Sequence, residues 1–567
     1  MTLEMLLARF DGLIQTSADV EKLNATILQW AVQGRLMPQC ADDEPAIVLL
    51  GQIAIEKKRL AQKKVIKKSK ALPRLNQFSQ DYLLPTSWFW THVDDVSLLV
   101  TDGEHATPPR VDHEAIPLVT AKNVRDGYLD LSNTDYVTLD TAIRSWQRCN
   151  PQHDDLLVVC VGATTGRASL AKFPPDMVLV RSVALIRPHP ATIYPEFLEI
   201  FIKSPLGQKQ IWNQVKQTAQ PVLYLNRIKK MRLPLPPLAE QKRIVARVDE
   251  LLGQTAVLAQ QLEAVNEQRR GLNTAVLHQL TQSSNAATVF PLIQRHFDRL
   301  YVDADTIAEL KQAILQLAVQ GRLVPQDDRD ENAAALIESI AVKKVSLMDE
   351  GRLRKTKRIA NVQKSEIPYF LPEGWVWCRW DHVSLLIGDV DHKMPKEVAE
   401  GIPYISPRDF VNENEIDFEN AKKISPEDFE RLVQKIQPEY GDIIFPRYGT
   451  IGVNRFVKTH IDFLASYSCA IVKTMHDYIE PRYSFFYSLS PLVQSEIERY
   501  TNKTTQPNVG IGSIKKFLFP LPPLSEQKRI VAKVDELFAL CDQLVGQLIT
   551  AENGRVQLLD AVLAQAT

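Results

Sequence analysis

Two stretches of the chain carry apolar residues in alternating steps of four and three. The first runs Ile244, Val248, Leu251, Thr255, Leu258, Leu262, Val265, Arg269, Leu272 and Val276. The second runs Ile530, Val534, Leu537, Cys541, Leu544, Leu548, Ala551, Arg555, Leu558 and Val562. This period predicts two long helices with a coiled-coil seam. Pro236-Pro237 suits the start of the first, where proline is tolerated. Arg269 and Arg555 share one seam slot; a charge there either fixes register at some cost in stability or snorkels from the seam edge. A second stripe, Val245, Leu252, Ile549 and Leu559, would lie exposed on an isolated rod.

Shorter patterns precede these helices. Val20, Leu23, Ile27, Leu28 and Ala31 share one helical face over 19–33, and Gly34 then Pro38 stop it. A second helix is expected over 44–65, with counterparts near 305–320 and 332–350. Short β-type runs follow at 156–159, 177–186, 442–445 and 468–472, mixed with helical stretches such as 196–204.

The same pattern is written twice. Residues 234–251 and 520–537 agree at sixteen of 18 positions, 286 apart, and ILQWAVQGRL at 27–36 returns as ILQLAVQGRL at 314–323. Phe10-Asp11 matches Phe297-Asp298, Pro85, Trp88 and Trp90 match Pro372, Trp375 and Trp377, and Asp102, His105 and Pro108 match Asp389, His392 and Pro395. So long a period excludes a solenoid and implies two copies of a multi-part unit with pseudo-two-fold symmetry. Identity is high in the helical flanks and low across 90–220 and 377–505, so one scaffold carries two different readers. The two-fold relation makes the long helices antiparallel, with one mixed α/β domain at each end.

Composition is that of an ordinary globular chain, 45% hydrophobic and 24% charged. No apolar run approaches 18 residues, the N-terminus lacks a basic signal region, and none of the six cysteines forms a C-x-x-C pair. A reduced cytoplasm, no membrane and no metal site are expected. Net charge is −1, yet Lys57 to Lys70 holds eight basic residues and no acid. Lys343, Lys344, Arg352, Arg354, Lys355, Lys357 and Arg358 occupy the matching region. Such clusters either neutralise phosphates or form a solvated face.

Catalytic signatures are missing. There is no Walker A loop, no G-x-G-x-x-G, no G-x-S-x-G and no H-E-x-x-H; Asn150-Pro151-Gln152-His153 is a poor match to an amino-methylation motif. Two paired elements remain. An Asp-x-x-His-x-x-Pro loop (102–108, 389–395) either sets His105 and His392 beside DNA or is a turn whose Asp caps backbone amides. A Gly-rich turn (GATTGR at 162–167, YGTIGV at 448–453) either approaches phosphates or base edges or is a tight hairpin corner. Arg167 is replaced by Val453.

LPPLAEQKRIVARVDELL and its LPPLSEQKRIVAKVDELF twin, the AVQGRL segments and the LPxxW(F/V)W stretches resemble the specificity subunits of type I restriction-modification enzymes, over nearly the whole chain and in the family's order. TTQPNVGIGSIKKFLFPLPPL (504–524) is that family's domain-to-helix junction; TAQPVLYLNRIKKMRLPLPPL (218–238) departs from it at Val222, where the other copy has Asn508. The resemblance implies an α+β fold with two mixed α/β target-recognition domains separated by long antiparallel coiled-coil helices. It implies a helical region at 1–85, a recognition domain at 86–235, a long helix at 236–285, a repeated helical region at 286–372, a second recognition domain at 373–521 and a second long helix at 522–567. It further implies a non-catalytic subunit on double-stranded DNA. Two modification subunits, which bind S-adenosylmethionine and methylate adenine, and then restriction subunits would join it, and this chain itself would hold no cofactor. Each recognition domain would read half of a gapped asymmetric site. The expected DNA-binding side chains are Lys122, Arg167, Arg181 and Gln220, then Arg408, Arg447, Tyr448 and Gln506, because Arg and Gln match guanine and adenine edges. The competing expectations are a fused methyltransferase or nuclease, which would bind S-adenosylmethionine alone, and a protein-only coiled-coil scaffold, which would ignore DNA.

Overall fold

The computed structural model describes residues 12–63, 66, 72–73, 75, 82–113, 115–172, 176–213, 221–282, 286–354, 358–390, 393–412, 414–502 and 507–566. Phe10-Asp11, Gln220, His392, Gln506 and much of the basic run after Lys63 lie outside them. The chain divides into two compact units, Met1–Asn266 with Gly554–Thr567, and Glu267–Asn553.

The first unit opens with helices α1 (Ser17–Gln33) and α2 (Ala46–Gln62). It continues with β1 (Phe89–His92), β2 (Ser97–Asp102), β3 (Ile116–Val119), β4 (Asp135–Val137), α3 (Leu139–Trp146), β5 (Leu156–Val159), β6 (Ala168–Leu170), β7 (Val178–Leu179) and β8 (Val183–Pro188). Then come α4 (Pro195–Lys203), α5 (Pro205–Trp212), α6 (Leu225–Lys229), β9 (Arg232–Leu235) and the head of the long helix α7 (Leu238–Gln282). Strands β2-β8-β5-β6 form one sheet, β4-β3-β7 a second, and β1 pairs antiparallel with β9, tying the domain's entrance to its exit. Leu-Leu-Val-Val of β5 is buried throughout because its faces alternate. Leu156 and Val158 enter the core shared with the helices, while Leu157 and Val159 enter a second core inside the domain. The expected single run over 177–186 is two strands, β7 and β8, broken at a turn that carries Arg181.

The second unit repeats this plan. Helices α8 (Ala286–Arg295), α9 (Phe297–Leu300), α10 (Ala304–Val319) and α11 (Ala333–Asp349) lead to β10 (Val376–Arg379), α12 (Trp380–Val383), β11 (Ser384–Gly388) and β12 (Ile402–Ile405). A small hairpin of β13 (Phe410–Val411) and β14 (Glu415–Ile416) follows, then β15 (Lys423–Ile424), α13 (Pro426–Val433), β16 (Ile443–Pro446), β17 (Arg455–Phe456), β18 (Leu464–Ala465) and β19 (Cys469–Thr474). Helices α14 (Pro481–Leu489), α15 (Pro491–Tyr500) and α16 (Ile511–Ile514), strand β20 (Leu518–Leu521) and the long helix α17 (Leu524–Ala566) complete it. The sheets are β11-β19-β16-β17 and β15-β12-β18, with β10 against β20.

The doubled motifs are doubled contacts. Gly34 (φ 72°) and Gly321 (φ 68°) end α1 and α10 in the left-handed region. A Cβ there would lie 2.4 Å from Pro85 and 2.5 Å from Pro372, so the AVQGRL glycine and the LPxxW proline are two sides of one contact. Glu240 accepts from Trp88 Nε1 (2.9 Å) and Gln39 Nε2 (2.8 Å), and Glu526 accepts from Trp375 Nε1 (2.8 Å) and Gln326 Nε2 (2.8 Å). Burial pushes both glutamate pKa values up. Arg243 forks onto Asp43 and Arg529 onto Asp330, each with a shortest bond of 2.6 Å.

Hydrogen bonds also give the helix directions within each unit. In the first, Asn24 meets Thr255 and Gln39 meets Glu240, so α1 runs against the head of α7; Asp19 meets Arg555 and Lys22 meets Asp560, so α1 runs with the tail of α17. The head of α7 and the tail of α17 are therefore antiparallel. In the second unit, Lys311–Asp542 and Gln326–Glu526 set α10 against the head of α17, and Arg269–Asp303 and Asn273–Glu309 set it along the tail of α7.

Of the two readings of the seam arginines, snorkelling gives way: Arg555 donates to Asp19 (2.8 Å) and Arg269 to Asp303 (3.1 Å), at the starts of α1 and α10. The stripe expected to lie exposed is partly core. Val245 (5% exposed) and Leu559 (0%) are buried in the cluster that also contains the α1 side chains, while Ile549 is exposed. A helix packed from two sides needs an apolar arc wider than one seam. Lys57 and Lys344, from the basic clusters, also serve the fold. Each donates to a backbone oxygen, of Asp94 and Asp381, at 2.6 Å, and burial holds each ammonium pKa below its ordinary value.

Candidate nucleic-acid interface

In the first unit the Gly-rich turn joins β5 to β6. Gly162 (φ 99°) and Gly166 (φ 96°) bend it, and Thr165 Oγ1 donates to the Gly162 carbonyl (2.7 Å). It is a hairpin corner, and it is also a meeting point: Leu223 N donates to Cys160 O (2.8 Å) and Val161 bridges Val222. The domain-to-helix junction thus lies beside the turn. The second unit repeats the arrangement, with Val509 N donating to Arg447 O (3.0 Å) and Tyr448 bridging Asn508.

The Asp-x-x-His loop stands next to this turn. Both aspartates pair with side-chain cations, and among the described residues Asp102 caps no backbone amide. Asp102 accepts from Arg148 Nη2 (2.6 Å) and lies 3.0 Å from His105 Nε2, leaving His105 57% exposed at the rim. Asp389 accepts from Arg447 Nη2 (2.6 Å), with Lys435 Nζ at 3.5 Å.

In the first unit these elements enclose a cleft of about 670 Å³ lined by Asp102, His105, Cys160, Arg181, Tyr224, Asn226 and Arg227 among others. Burial pushes the Cys160 thiol up to about 12, so it is neutral and inert there. Of the residues expected to meet DNA, Arg181 alone among the described ones lines this cleft, exposed in the β7–β8 turn with its amide on Glu104 O. Arg167, half-buried, leaves the hairpin toward Asp126, 4.0 Å away. Lys122 is exposed in a turn after β3, which Asn123 closes by accepting from Thr120 N (3.0 Å), and it lies 3.4 Å from Asp135. Gln220 lies outside the described residues, between helix α5 and the cleft wall in sequence.

In the second unit Arg408 is exposed in the matching turn after β12, where Asp409 accepts from Ser406 N (2.7 Å). Lys122 and Arg408 therefore occupy one structural position. Arg447 departs from expectation. It is 5% exposed, donates to Asp389 and to Tyr467 O (3.1 Å), and packs 5.0 Å from the Tyr448 ring. A guanidinium so committed braces the turn, and Tyr448, half-buried, is the side chain it supports. Gln506 lies outside the described residues.

Sequence reasoning missed Tyr224, Asn226 and Arg227, which sit in the junction and were hidden in a shared motif. The available signal was a difference inside that motif, since the other copy has Gly510, Gly512 and Ser513 there. A Cβ at Gly510 or Gly512 would meet open space, so the second unit has a gap where the first has a polar wall.

Among the described residues, no cluster of His, Cys, Asp or Glu is arranged to hold a metal ion, and no helix is long and apolar enough to cross a membrane. The profile of the type I restriction modification DNA specificity domain matches residues 115–267 and 386–551, more than half of the chain. The chain is 28% identical to the type I restriction enzyme EcoAI specificity subunit of Escherichia coli, over 96% of this chain and 93% of that one. It is 27% identical to the EcoEI specificity subunit of Escherichia coli over the same shares. A chain solved in work on complex assembly and conformational transition of the type I R-M system aligns at TM-score 0.44 and 18% identity, covering 86% of this chain and 98% of that one. With two matched specificity domains set in one repeated scaffold, the chain belongs to the type I restriction-modification DNA specificity family, whose specificity subunits recognise DNA sequence and leave catalysis to partner subunits.

Proposed function

We propose that the two units read the two halves of a gapped, asymmetric site on double-stranded DNA. One observation carries this reading: a scaffold repeated contact for contact holds two unlike surfaces at the same place, a polar wall of Tyr224, Asn226 and Arg227 in one unit and a glycine gap beside Tyr448 in the other. Residues 86–235 and 373–521 are the target-recognition domains of this reading, 236–285 and 522–567 its long helices, and 1–85 and 286–372 its helical supports. Arg181, Lys122, Arg167 and Gln220 contact DNA from the first domain, joined by Asn226 and Arg227. Arg408, Tyr448 and Gln506 do so from the second, where Arg447 positions Tyr448. Arginine and glutamine forks match guanine and adenine edges in the major groove, and each good pair contributes about 1–3 kcal/mol of discrimination.

The complex contains two modification subunits, which bring S-adenosylmethionine and methylate adenine, and restriction subunits that cut; it works in the cytoplasm. Mixing the chain with its modification subunit and a randomised duplex library, then sequencing methylated molecules, tests this. A bipartite motif with unlike halves is expected; one continuous or palindromic motif would overturn it.

A further inference from the structure

Each unit gathers cations where its recognition domain is entered and left. Lys57 of α2 donates to Asp94 O (2.6 Å), and Lys229 Nζ lies 3.9 Å from the Asp94 carboxylate. The second unit repeats this. Lys344 of α11 donates to Asp381 O (2.6 Å), and Lys515 Nζ lies 3.3 Å from the Asp381 carboxylate. The backbone closes in the same way, with Asp94 N donating to Lys229 O (3.1 Å) and Asp381 N to Lys515 O (3.2 Å). Burial lowers the pKa of Lys57 and of Lys344; the aspartate beside each partly restores it, and the neighbouring cation, Lys229 or Lys515, lowers it again. A third lysine extends each cluster. Lys230 and Lys516 follow directly, both exposed, and neither forms an ion pair among the described residues.

The third lysine stands beside the reading positions. Lys230 N donates to Arg227 O (3.2 Å) and Lys516 N to Ser513 O (2.9 Å), so each closes one turn of chain. In the first unit that turn supplies Asn226 and Arg227 to the cleft wall. The reading positions differ, Asn226-Arg227 against Gly512-Ser513, yet Ile228-Lys229-Lys230 returns as Ile514-Lys515-Lys516. The fold uses the first two residues of each triplet. Ile228 and Ile514 are buried, and Lys229 and Lys515 hold the aspartates. It leaves the third to solvent in both units. Two halves of a DNA site differ in their base edges but share one phosphodiester chain. Phosphate contacts fix register and carry no sequence, so an anchor can stay the same beside readers that change. An ammonium suits that task, because it acts as a point charge and needs no forked geometry. Gathered cations repel one another, and an anion relieves the repulsion.

We propose that Lys230 and Lys516 each hold a backbone phosphate of the duplex beside the half-site that their unit reads. Lys229 and Lys515 keep the turn in place and add to its positive field. The inference rests on the proposed reading of one half-site by each unit, and adds to it an anchor that is blind to sequence.

The test uses the full chain with its modification subunit, in fluorescence anisotropy titrations over a range of salt concentrations. Two duplexes serve as probes, one carrying the methylated motif selected from the library and one of unrelated sequence. Each phosphate contact adds about 0.9 to the steepness of log K against log salt. Lys230→Gln and Lys516→Gln should each remove about 0.9 of that slope on both duplexes. By the same relation, affinity at 0.1 M salt should fall by about eightfold for each variant and about sixtyfold for the two together. The methylated motif should stay that of the wild type. Lys230→Arg and Lys516→Arg, which keep the charge, should bind as the wild type does. Lys533→Gln, which removes the same charge from a lysine of α17 paired with Glu536, should change neither slope nor affinity. A double glutamine variant with the wild-type slope and affinity overturns the inference and leaves the proposed function standing. So does a variant whose motif loses a base preference, since the lysine would then be a reader. An equal loss in Lys533→Gln also overturns it, since the effect would then be one of net charge. A wild type that binds neither duplex overturns both.

Discussion

Cys160 and Arg447 occupy the same place in the two units. Each precedes the Gly-rich turn, each is buried, and each offers its carbonyl to the junction segment, Leu223 in one unit and Val509 in the other. Beneath them stand equivalent aspartates, Asp102 and Asp389, each beside an equivalent cation, Arg148 and Lys435. The side chain between them differs, as does the junction opposite it, and together these change the surface. A small neutral thiol leaves Asp102 to His105 and opens a cleft walled by Tyr224, Asn226 and Arg227. A buried guanidinium instead claims Asp389 and seats Tyr448 beside it. Backbone bonds hold the frame in both units, so the side chains are at liberty to differ. That division of labour is what a protein needs in order to change one half of its target without rebuilding itself.

The comparison can be broken most strongly at its buried charges. Arg447→Ala takes the 2.6 Å guanidinium partner from buried Asp389, and should destabilise the second unit by about 3–5 kcal/mol. Cys160→Ala should cost about 1 kcal/mol, as a small buried deletion. Calorimetric or denaturant unfolding of both variants checks this, and equal losses would deny the difference. The helix starts offer a parallel case. Thr16 and Asp19 flank the first turn of α1, and Asp303 and Thr306 flank that of α10 in exchanged order, yet each set binds an arginine from a long helix. The Arg555–Asp19 pair is buried, with side chains 9% and 3% exposed, whereas those of Arg269 and Asp303 are 22% and 31% exposed. Asp19→Ala should therefore cost about 3–5 kcal/mol. Asp303→Ala should cost about 1–2 kcal/mol, chiefly the lost helix cap.

A contact that both units share should respond equally in both. Gly34→Ala and Gly321→Ala each force a Cβ into proline and a left-handed backbone onto alanine. Each should cost about 1–3 kcal/mol, with the two values agreeing. The smallest effect concerns reading. Arg227→Ala, at an exposed position, should leave stability unchanged and relax discrimination at one base pair of one half-site, by about 1–3 kcal/mol. Selection from a randomised duplex library measures this directly.

Much of this architecture was legible because the chain states it twice. The glycine of AVQGRL, the proline and tryptophan of LPxxW, and the glutamate of the EQKRIV motif recur together because they touch each other. The helices followed from spacing alone, since one face must meet a core. The reading surface was harder. Arg447 resembles any surface arginine until Asp389, 58 residues away, is brought against it. Arg181 fell inside an apolar run and marks a turn that breaks it. Tyr224, Asn226 and Arg227 hid in a motif that both copies keep for its backbone path and only one uses for its side chains. Local patterns report burial and capping; which polar side chains converge on a cleft is decided by pairings between distant strands.

The central claim is that one repeated frame carries two readers that work independently. Its most direct test replaces residues 86–232 with the matching region of a family relative of different specificity and maps the methylated motif of the reconstituted complex. The account predicts that one half of the motif changes to the donor's while the other half and the spacer stay as they were. A change in both halves, or in neither, would contradict it.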